Sequence, residues 1–324
     1  MGWFTAQVPF PDLVPELRDD VVRLRAHNTG DLARMVEEAG DAQTLAQMTV
    51  GQNTLADMAK YLEVVREGWE SQHPHPRWAI CTLDDDTYLG TIVLRPHAWV
   101  GARLPAATVS YSLHPEARGR GLMTRALRLA SAHFFGAYSG ERLHWAAFRG
   151  NEASWRVARA CGFTMHATIP QTTLQGERLR DDWVASLGRD EPTTPKTPWL
   201  AFPEISVDTA HGPVLLRDWR PSDVDALEPA NHPAHYLPMT AIPPVDFFET
   251  WRMTRLEHRI LGTGLSWCIA NAEDRAMGYV TVFSRGGPIG DYAELGYYVF
   301  PSARGRGVVT AAAQAAVAHA FGSI

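Results

Sequence analysis

Short runs of alternating apolar and polar residues, broken by stretches with helical spacing, divide this 324-residue chain into a series of small elements. Val22-Arg23-Leu24-Arg25 alternates and predicts a first strand, and Gly30-Asp31-Leu32 after it opens a helix capped near the aspartate. Thr54-Leu55-Ala56-Asp57 has capping-box spacing and predicts a longer helix reaching about residue 69. Strands follow at 78–83 and 88–94, turning at Asp84-Asp85-Asp86, and again at 107–113. Met123, Ala126, Leu127, Ala130 and Phe134 lie on one face of a helix. Residues 142–148 alternate enough for a half-buried strand, and Asn151 to Phe163 reads as a short helix closed by a glycine.

The same order of patterns then returns. Leu215-Leu216-Arg217 followed by Ser222-Asp223-Val224 repeats the opening strand and helix start. A helix at 246–261, strands at 265–270, 277–283 and 293–300, and an alanine-rich helix at 311–321 complete the echo. Pro192-Thr193-Thr194-Pro195-Lys196-Thr197-Pro198 reads as a semi-rigid linker, with Trp199 to Pro203 packing back on a domain. The expected organisation is a first domain at 1–188, a proline-rich linker at 189–204 and a second domain at 205–324. Nothing after Phe321 matches the first copy's fifth strand, short helix and last hairpin. Three explanations stay open: a copy cut short at this end, one completed by the first half, or one completed by another chain.

The strongest part of the repeat is a loop. Ser110-Tyr111-Ser112-Leu113-His114-Pro115-Glu116-Ala117-Arg118-Gly119-Arg120-Gly121-Leu122-Met123-Thr124 is echoed by residues 296–310, which contain Val299 and Arg304-Gly305-Arg306-Gly307-Val308-Val309-Thr310. A strand enters an Arg-Gly-Arg-Gly turn and a helix leaves it. Such a turn presents consecutive backbone N–H groups at the positive end of a helix dipole, an arrangement that binds phosphate. The absence of Gly-Lys-Ser/Thr leaves a nucleotide P-loop unsupported, and no third glycine stands at dinucleotide-fold spacing.

Arg118-Gly119-Arg120-Gly121 before a helix, Asn151-x-x-Ser154, Gly162-Phe163, and a hairpin from Leu174-Gln175-Gly176-Glu177 to Asp181-Asp182-Trp183-Val184 occur in that order. On these residues the chain resembles the GNAT acyl-CoA N-acetyltransferases, and more closely their RimJ/RimL-like branch of ribosomal-protein N-terminal acetyltransferases. The resemblance implies an α/β (α+β) fold, a mixed and mostly antiparallel sheet flanked by helices, here in tandem with an incomplete second copy. It implies acetyl-CoA as cofactor and direct attack by an amine-bearing acceptor: a protein N-terminus, a peptide or a small molecule. Leu113 would face the thioester carbonyl. The amides of Arg118, Gly119, Arg120, Gly121, Leu122 and Met123, with the Thr124 hydroxyl, would hold the pyrophosphate. Asn151 would contact the pantetheine arm and Ser154 would protonate the departing thiolate. In the second copy Val299, Arg304, Gly305, Arg306, Gly307, Val308 and Thr310 would serve as a coenzyme loop. The alternative is a non-catalytic acyl-CoA-binding or interaction module with a pseudo-enzyme second half.

One departure concerns the base. The branch uses a carboxylate after its Gly-Phe, whereas no acid lies between Gly162 and Gly176 here, the position falling near Thr172-Thr173. An α-amino group, with a pKa of about 7.7–8.0, needs less help than a lysine near 10.4. His114 beside the acetyl site and Glu294 in the second copy are weaker candidates. Trp69, Trp99 and Trp155 could line an acceptor groove.

A net charge of −6 argues against a nucleic-acid partner, and no apolar run is long enough to cross a membrane. Met1 to Ala6 show no secretory leader, and Ala6 breaks a myristoylation motif. The expected location is cytoplasmic, and a homodimer is compatible with the sequence. Cys81, Cys161 and Cys268 are too far apart for a metal motif and read as reduced core thiols. His73-Pro74-His75-Pro76 reads as a solvated turn, and no metal is expected.

Overall fold

The computed structural model describes Phe10 and residues 12–48, 54–228, 245–283 and 293–323; Met1 to Ala6, read above for a leader, and Ile324 lie outside them. The chain forms two compact units, Met1–Lys196 and Thr197–Ile324.

In the first unit the strands are β1 (Leu17–Arg18), β2 (Val22–Arg25), β3 (Arg77–Thr82), β4 (Tyr88–Val100), β5 (Arg103–Leu113), β6 (Arg142–Phe148), β7 (Thr164–Gln175) and β8 (Arg178–Gly188). They make one sheet ordered β1-β2-β3-β4-β5-β6-β8-β7. Every neighbouring pair is antiparallel except β5 with β6. The helices are α1 (Leu32–Gly40), α2 (Ala42–Leu45), α3 (Leu55–Glu70), α4 (Leu122–Gly136) and α5 (Glu152–Ala160). A parallel pair requires a crossover, and α4 supplies it between β5 and β6. Met123, Ala126, Leu127, Ala130 and Phe134 of α4 are all buried, as their spacing predicts, and α4 packs on β1, β2, β4 and β5. Met35 and Ala39 of α1 and Met58 of α3 cover the opposite face over Ala79, Cys81 and Tyr88. With helices on both sides, β4 is buried without interruption from Tyr88 to Leu94.

The second unit holds β9 (Ile205–Thr209), β10 (Gly212–Arg217), β11 (Leu265–Ala270), β12 (Ala276–Phe283) and β13 (Glu294–Val299), ordered β13-β12-β11-β10-β9 and antiparallel throughout. One face is covered by α7 (Val308–Ser323), whose Val308, Ala312 and Ala316 meet Leu216, Trp267, Ile269 and Val280. On the other face Phe248, from α6 (Phe248–Ile260), packs with Trp219, Tyr279 and Phe300.

A partly buried ion cluster recurs in both units. Arg25 on β2 binds Asp31 and Asp86, each at 2.7 Å, and Arg217 on β10 binds Asp223 at 2.8 Å and Asp274 at 2.6 Å. Asp31 is therefore not the expected helix cap: Asn28 caps the preceding turn, and the Asp31 carboxylate is spent on Arg25 and the Asn28 amide. Asp223 likewise sits in a single 3-10 segment, Pro221–Ala226. Two short edge strands, β1 and β9, were not expected, and the β4–β5 hairpin runs beyond its predicted ends to a turn at Gly101, φ 61°. The backbone of Pro192 and Thr193 lies against Gly162, so the proline-rich stretch is packed at that point. Phe202 stacks on Trp267 at 5.2 Å and Leu200 is buried, as expected for the segment after the prolines. His73 stacks on Trp99 and the His75 amide donates to Gly68, which ties down the turn read as merely solvated. The three cysteines are free and buried.

Candidate functional site

β5 and β6 run in register only from Ala106 with Arg142 to Val109 with Trp145. Beyond that, β5 stays with β4 as far as Leu113, and β6 stays with β8 as far as Phe148. The two strands part, and residues 110–113 face a gap where a neighbour would be. Amides along a strand point alternately to its two sides. The His114 amide donates to Leu89 on the β4 side at 2.9 Å, so the Leu113 amide is aimed into the gap.

The gap opens onto the repeated loop. Pro115–Ala117 make a 3-10 turn, and the Arg118 amide donates to the Pro115 carbonyl at 3.2 Å. Gly119 and Gly121 follow with φ of 72° and 74°, a left-handed conformation that costs a residue with a Cβ roughly 1–2 kcal/mol. Among the described residues, no internal acceptor is bound by the amides of Gly119, Arg120, Gly121, Leu122, Met123 or Thr124. The first bond back into the helix is Arg125 to Gly121 at 3.3 Å. A row of unspent donors at a helix N-terminus is suited to a diphosphate.

Arg118 departs from the expectation. Its amide is spent in the turn, and its guanidinium reaches Asp41 and Thr44 at 2.7 Å and Gln43 at 2.9 Å, with Nε on the Leu113 carbonyl. It braces the loop against α2 and leaves the anion to its neighbours. Arg120 is exposed, and Thr124 is half-buried in the first turn of α4.

Three side chains meet inside the gap. Trp145 Nε1 on β6 donates to Tyr111 Oη on β5 at 3.0 Å and to Ser154 Oγ on α5 at 3.2 Å. The Tyr111 hydroxyl donates to the Ser154 carbonyl at 2.8 Å, and burial raises its pKa, so the phenol stays neutral with its proton committed. The Ser154 hydroxyl only accepts within this trio, which leaves its own proton to give. Asn151 caps α5, its Oδ1 accepting from the Ser154 amide at 3.1 Å.

A family model described as an acetyltransferase (GNAT) domain matches residues 22–164 and again residues 214–324. The chain belongs to the GNAT acetyltransferase family. That family carries out acetyl-CoA-dependent acetylation. Similar solved structures include the GNAT-family acetyltransferase from Bacillus anthracis, 14% identical over 55% of this chain and 100% of that one, TM-score 0.48. The ribosomal-protein-S5-alanine acetyltransferase from Vibrio fischeri is 18% identical over 54% of this chain and 97% of its own, TM-score 0.48. RimJ from Mycobacterium smegmatis, solved with CoA-disulfide, is 19% identical over 54% and 86%, TM-score 0.46. No curated protein matches the chain.

The second GNAT copy repeats the loop closely. Gly305 and Gly307 have φ of 73° and 69°, and Arg304 donates its amide to Pro301. Among the described residues the amides of Gly305, Arg306, Gly307, Val308, Val309 and Thr310 bind no internal acceptor. The Phe300 amide donates to Met277, so the Val299 amide points away from β12. A cavity of about 620 Å³ lies over this loop, lined by Tyr297, Tyr298, Val299 and residues 303–310. No described strand pairs with the outer edge of β13, and no counterpart of Asn151 or Ser154 is present among the described residues.

On the face of β5 turned away from α4, Thr108 accepts or donates to His97 at 2.8 Å, and His97 stacks on His144 at 5.0 Å. Burial, then His97, Arg142 and His166, lower the His144 pKa. His114 has both ring nitrogens engaged, with Arg34 at 3.0 Å and Glu37 at 3.1 Å, which removes it as a base. Thr173 binds Asp182 on β8, so an acid does stand beside the segment that lacks one in sequence. Glu294 is exposed at the start of β13. Trp69 and Trp155 are buried packing residues. Sequence reasoning missed Tyr111 and Trp145, which become neighbours of Ser154 only through the strand separation. Among the described residues no cluster suits a metal ion, and no helix is long and apolar enough to cross a membrane.

Proposed function

We propose that the first unit is an N-acetyltransferase of RimJ/RimL-like type, moving the acetyl group of acetyl-CoA to a primary amine on a protein N-terminus, a peptide or a small molecule. The observation that carries this reading is the row of unspent amides from Gly119 to Thr124 at the mouth of the β5–β6 gap. These amides would grip the diphosphate, the gap would take the pantetheine arm, and Asn151 would contact it. The Leu113 amide would polarise the thioester carbonyl, which lowers the barrier by stabilising the developing oxyanion. The amine attacks directly, and the Ser154 hydroxyl protonates the departing thiolate.

The second unit offers a further coenzyme loop. Its cavity and unspent loop amides would hold an acyl-CoA. In this reading residues 1–188 form the catalytic copy, 189–204 the linker and 205–324 a second GNAT-like copy with a coenzyme loop of its own.

Calorimetry with acetyl-CoA, paired with release of free CoA thiol across a panel of α-amino peptides and simple amines, tests both roles. Gly121→Val forces a branched side chain into a left-handed conformation beside the amides, and acetyl-CoA affinity at the first unit should fall at least ~10-fold. Unchanged affinity would refute the loop's assignment.

A further inference from the structure

A buried chain of polar groups runs through the first unit beneath the face of β5 turned away from α4. The Tyr88 hydroxyl donates to Glu38 Oε2 at 2.8 Å. Its proton being committed there, Tyr88 Oη accepts from Thr91 Oγ1 at 2.9 Å. Thr91 in turn accepts from His27 Nε2 at 3.0 Å. The donors thus line up in one direction, from imidazole to carboxylate, and leave His27 Nδ1 buried without a partner. Glu38 itself is buried. Ser112, half-buried on β5 and adjacent to Leu113, faces the carboxyl and favours its charged form.

Such a chain is costly to bury, and the repeat tests whether the fold requires it. Arg25 with Ala79 and Arg217 with Cys268 fix one correspondence, and Gly90 with Leu113 and Gly278 with Val299 fix another. By these registers Trp219 replaces His27, Ala276 replaces Tyr88, Tyr279 replaces Thr91 and Tyr298 replaces Ser112. The second unit keeps the arginine cluster and the glycine loop, yet fills this region with aromatic rings, Trp219 edge-on to Trp251 and Tyr279 stacked on Tyr298. The fold forms without the polar chain.

We propose that Glu38 is the terminal proton acceptor of acetyl transfer, reached from the attacking amine through the Ser112 hydroxyl. This rests on the N-acetyltransferase reading above. As the amine nitrogen bonds to the acyl carbon, its proton passes to Ser112 Oγ while the Ser112 proton passes to Glu38. The carbon–sulfur bond then breaks, and the thiolate takes the proton of Ser154, which is restored from solvent. Glu38 later returns its proton to water, so no co-reactant is consumed beyond acetyl-CoA and amine. The Tyr88–Thr91–His27 chain holds the carboxylate in place.

Glu38 is surrounded by Tyr88 of β4, Tyr61 of α3, His114 and Arg118 of the loop, and Arg34 and Glu37 of its own helix. Burial raises its pKa against the smaller opposing effects of Ser112, Tyr88, His114 and Arg118. The rate should therefore fall on acidification through a value above the ordinary glutamate range.

The test uses the full chain, acetyl-CoA and the α-amino peptides and simple amines of the panel, with thiol release as readout. Glu38→Gln should lower kcat by ~100-fold or more, leave acetyl-CoA affinity and the melting midpoint within about twofold and a few degrees, and abolish the acid limb of the kcat profile. Ser112→Ala should slow turnover while keeping that limb, and Glu38→Asp should restore part of the rate. If wild type turns over amines and Glu38→Gln keeps its kcat and acid limb, the proposal fails alone. If Asp182→Asn removes the limb instead, it also fails. A wild-type chain that binds acetyl-CoA but acetylates none of these amines sinks it together with the catalytic reading.

Discussion

Ser154 shows how one hydroxyl is singled out among neighbours. Tyr111 has a hydroxyl a hydrogen bond away, but its proton is held by a carbonyl. Ser154→Ala should slow turnover by roughly 10²-fold with nearly unchanged acetyl-CoA affinity, measured by thiol release and calorimetry; equal rates would remove it from the mechanism. His27 carries a second residue-scale prediction. Burial lowers its pKa to about 4 against 6.5 in the unfolded chain. Between those values the unfolded state binds more protons, so this contribution is whole above 6.5 and is lost as pH falls toward 4, roughly 3 kcal/mol in all. Urea midpoints from pH 7 to 4.5 should fall steeply for wild type and more gently for His27→Leu. At this scale the sequence showed the glycines and the Asn-x-x-Ser pair. It could not show which arginine of Arg-Gly-Arg-Gly turns inward, because Asp41, Gln43 and Thr44, which claim Arg118, lie more than seventy residues away.

Elements were legible where one face is buried and opaque where pairing alone makes them. The stripe on α4 and the alternation in β6 follow from one-sided burial. β1 has only two residues and no pattern of its own; it exists because a neighbour offers an edge, whereas β9 does alternate, with Ile205 and Val207 against the core, so its signal was present in the sequence. The separation of β5 from β6, which makes the site, is likewise invisible locally, since both strands keep regular partners on their other sides. The arginine clusters tie first strand, following turn and hairpin together in each unit. Asp31→Ala would leave Arg25 short of its closest buried partner, and about 3–5 kcal/mol of stability should be lost. A denaturation shift below about 1 kcal/mol would show the cluster to be dispensable.

For the whole molecule the repeat means two loops with the same backbone and unequal surroundings. Calorimetry should find two acetyl-CoA sites per chain. Gly307→Val should remove one, and Gly121→Val should remove the other along with the turnover that Ser154 supports. A single site abolished by Gly121→Val would deny the second loop its coenzyme. The tandem order was legible because both copies keep the strand–glycine–helix signal. Their different chemistry was not, because it depends on which residues face each other across β12–β13 and β4–β5.

The separation of β5 from β6 adds a kinetic consequence. In the first unit a bound thioester arm would be walled in by β6, so departure would require it to thread out lengthwise. Exchange at that site would then be slow, with the carrier arriving and leaving end-on through the mouth that the glycine loop guards.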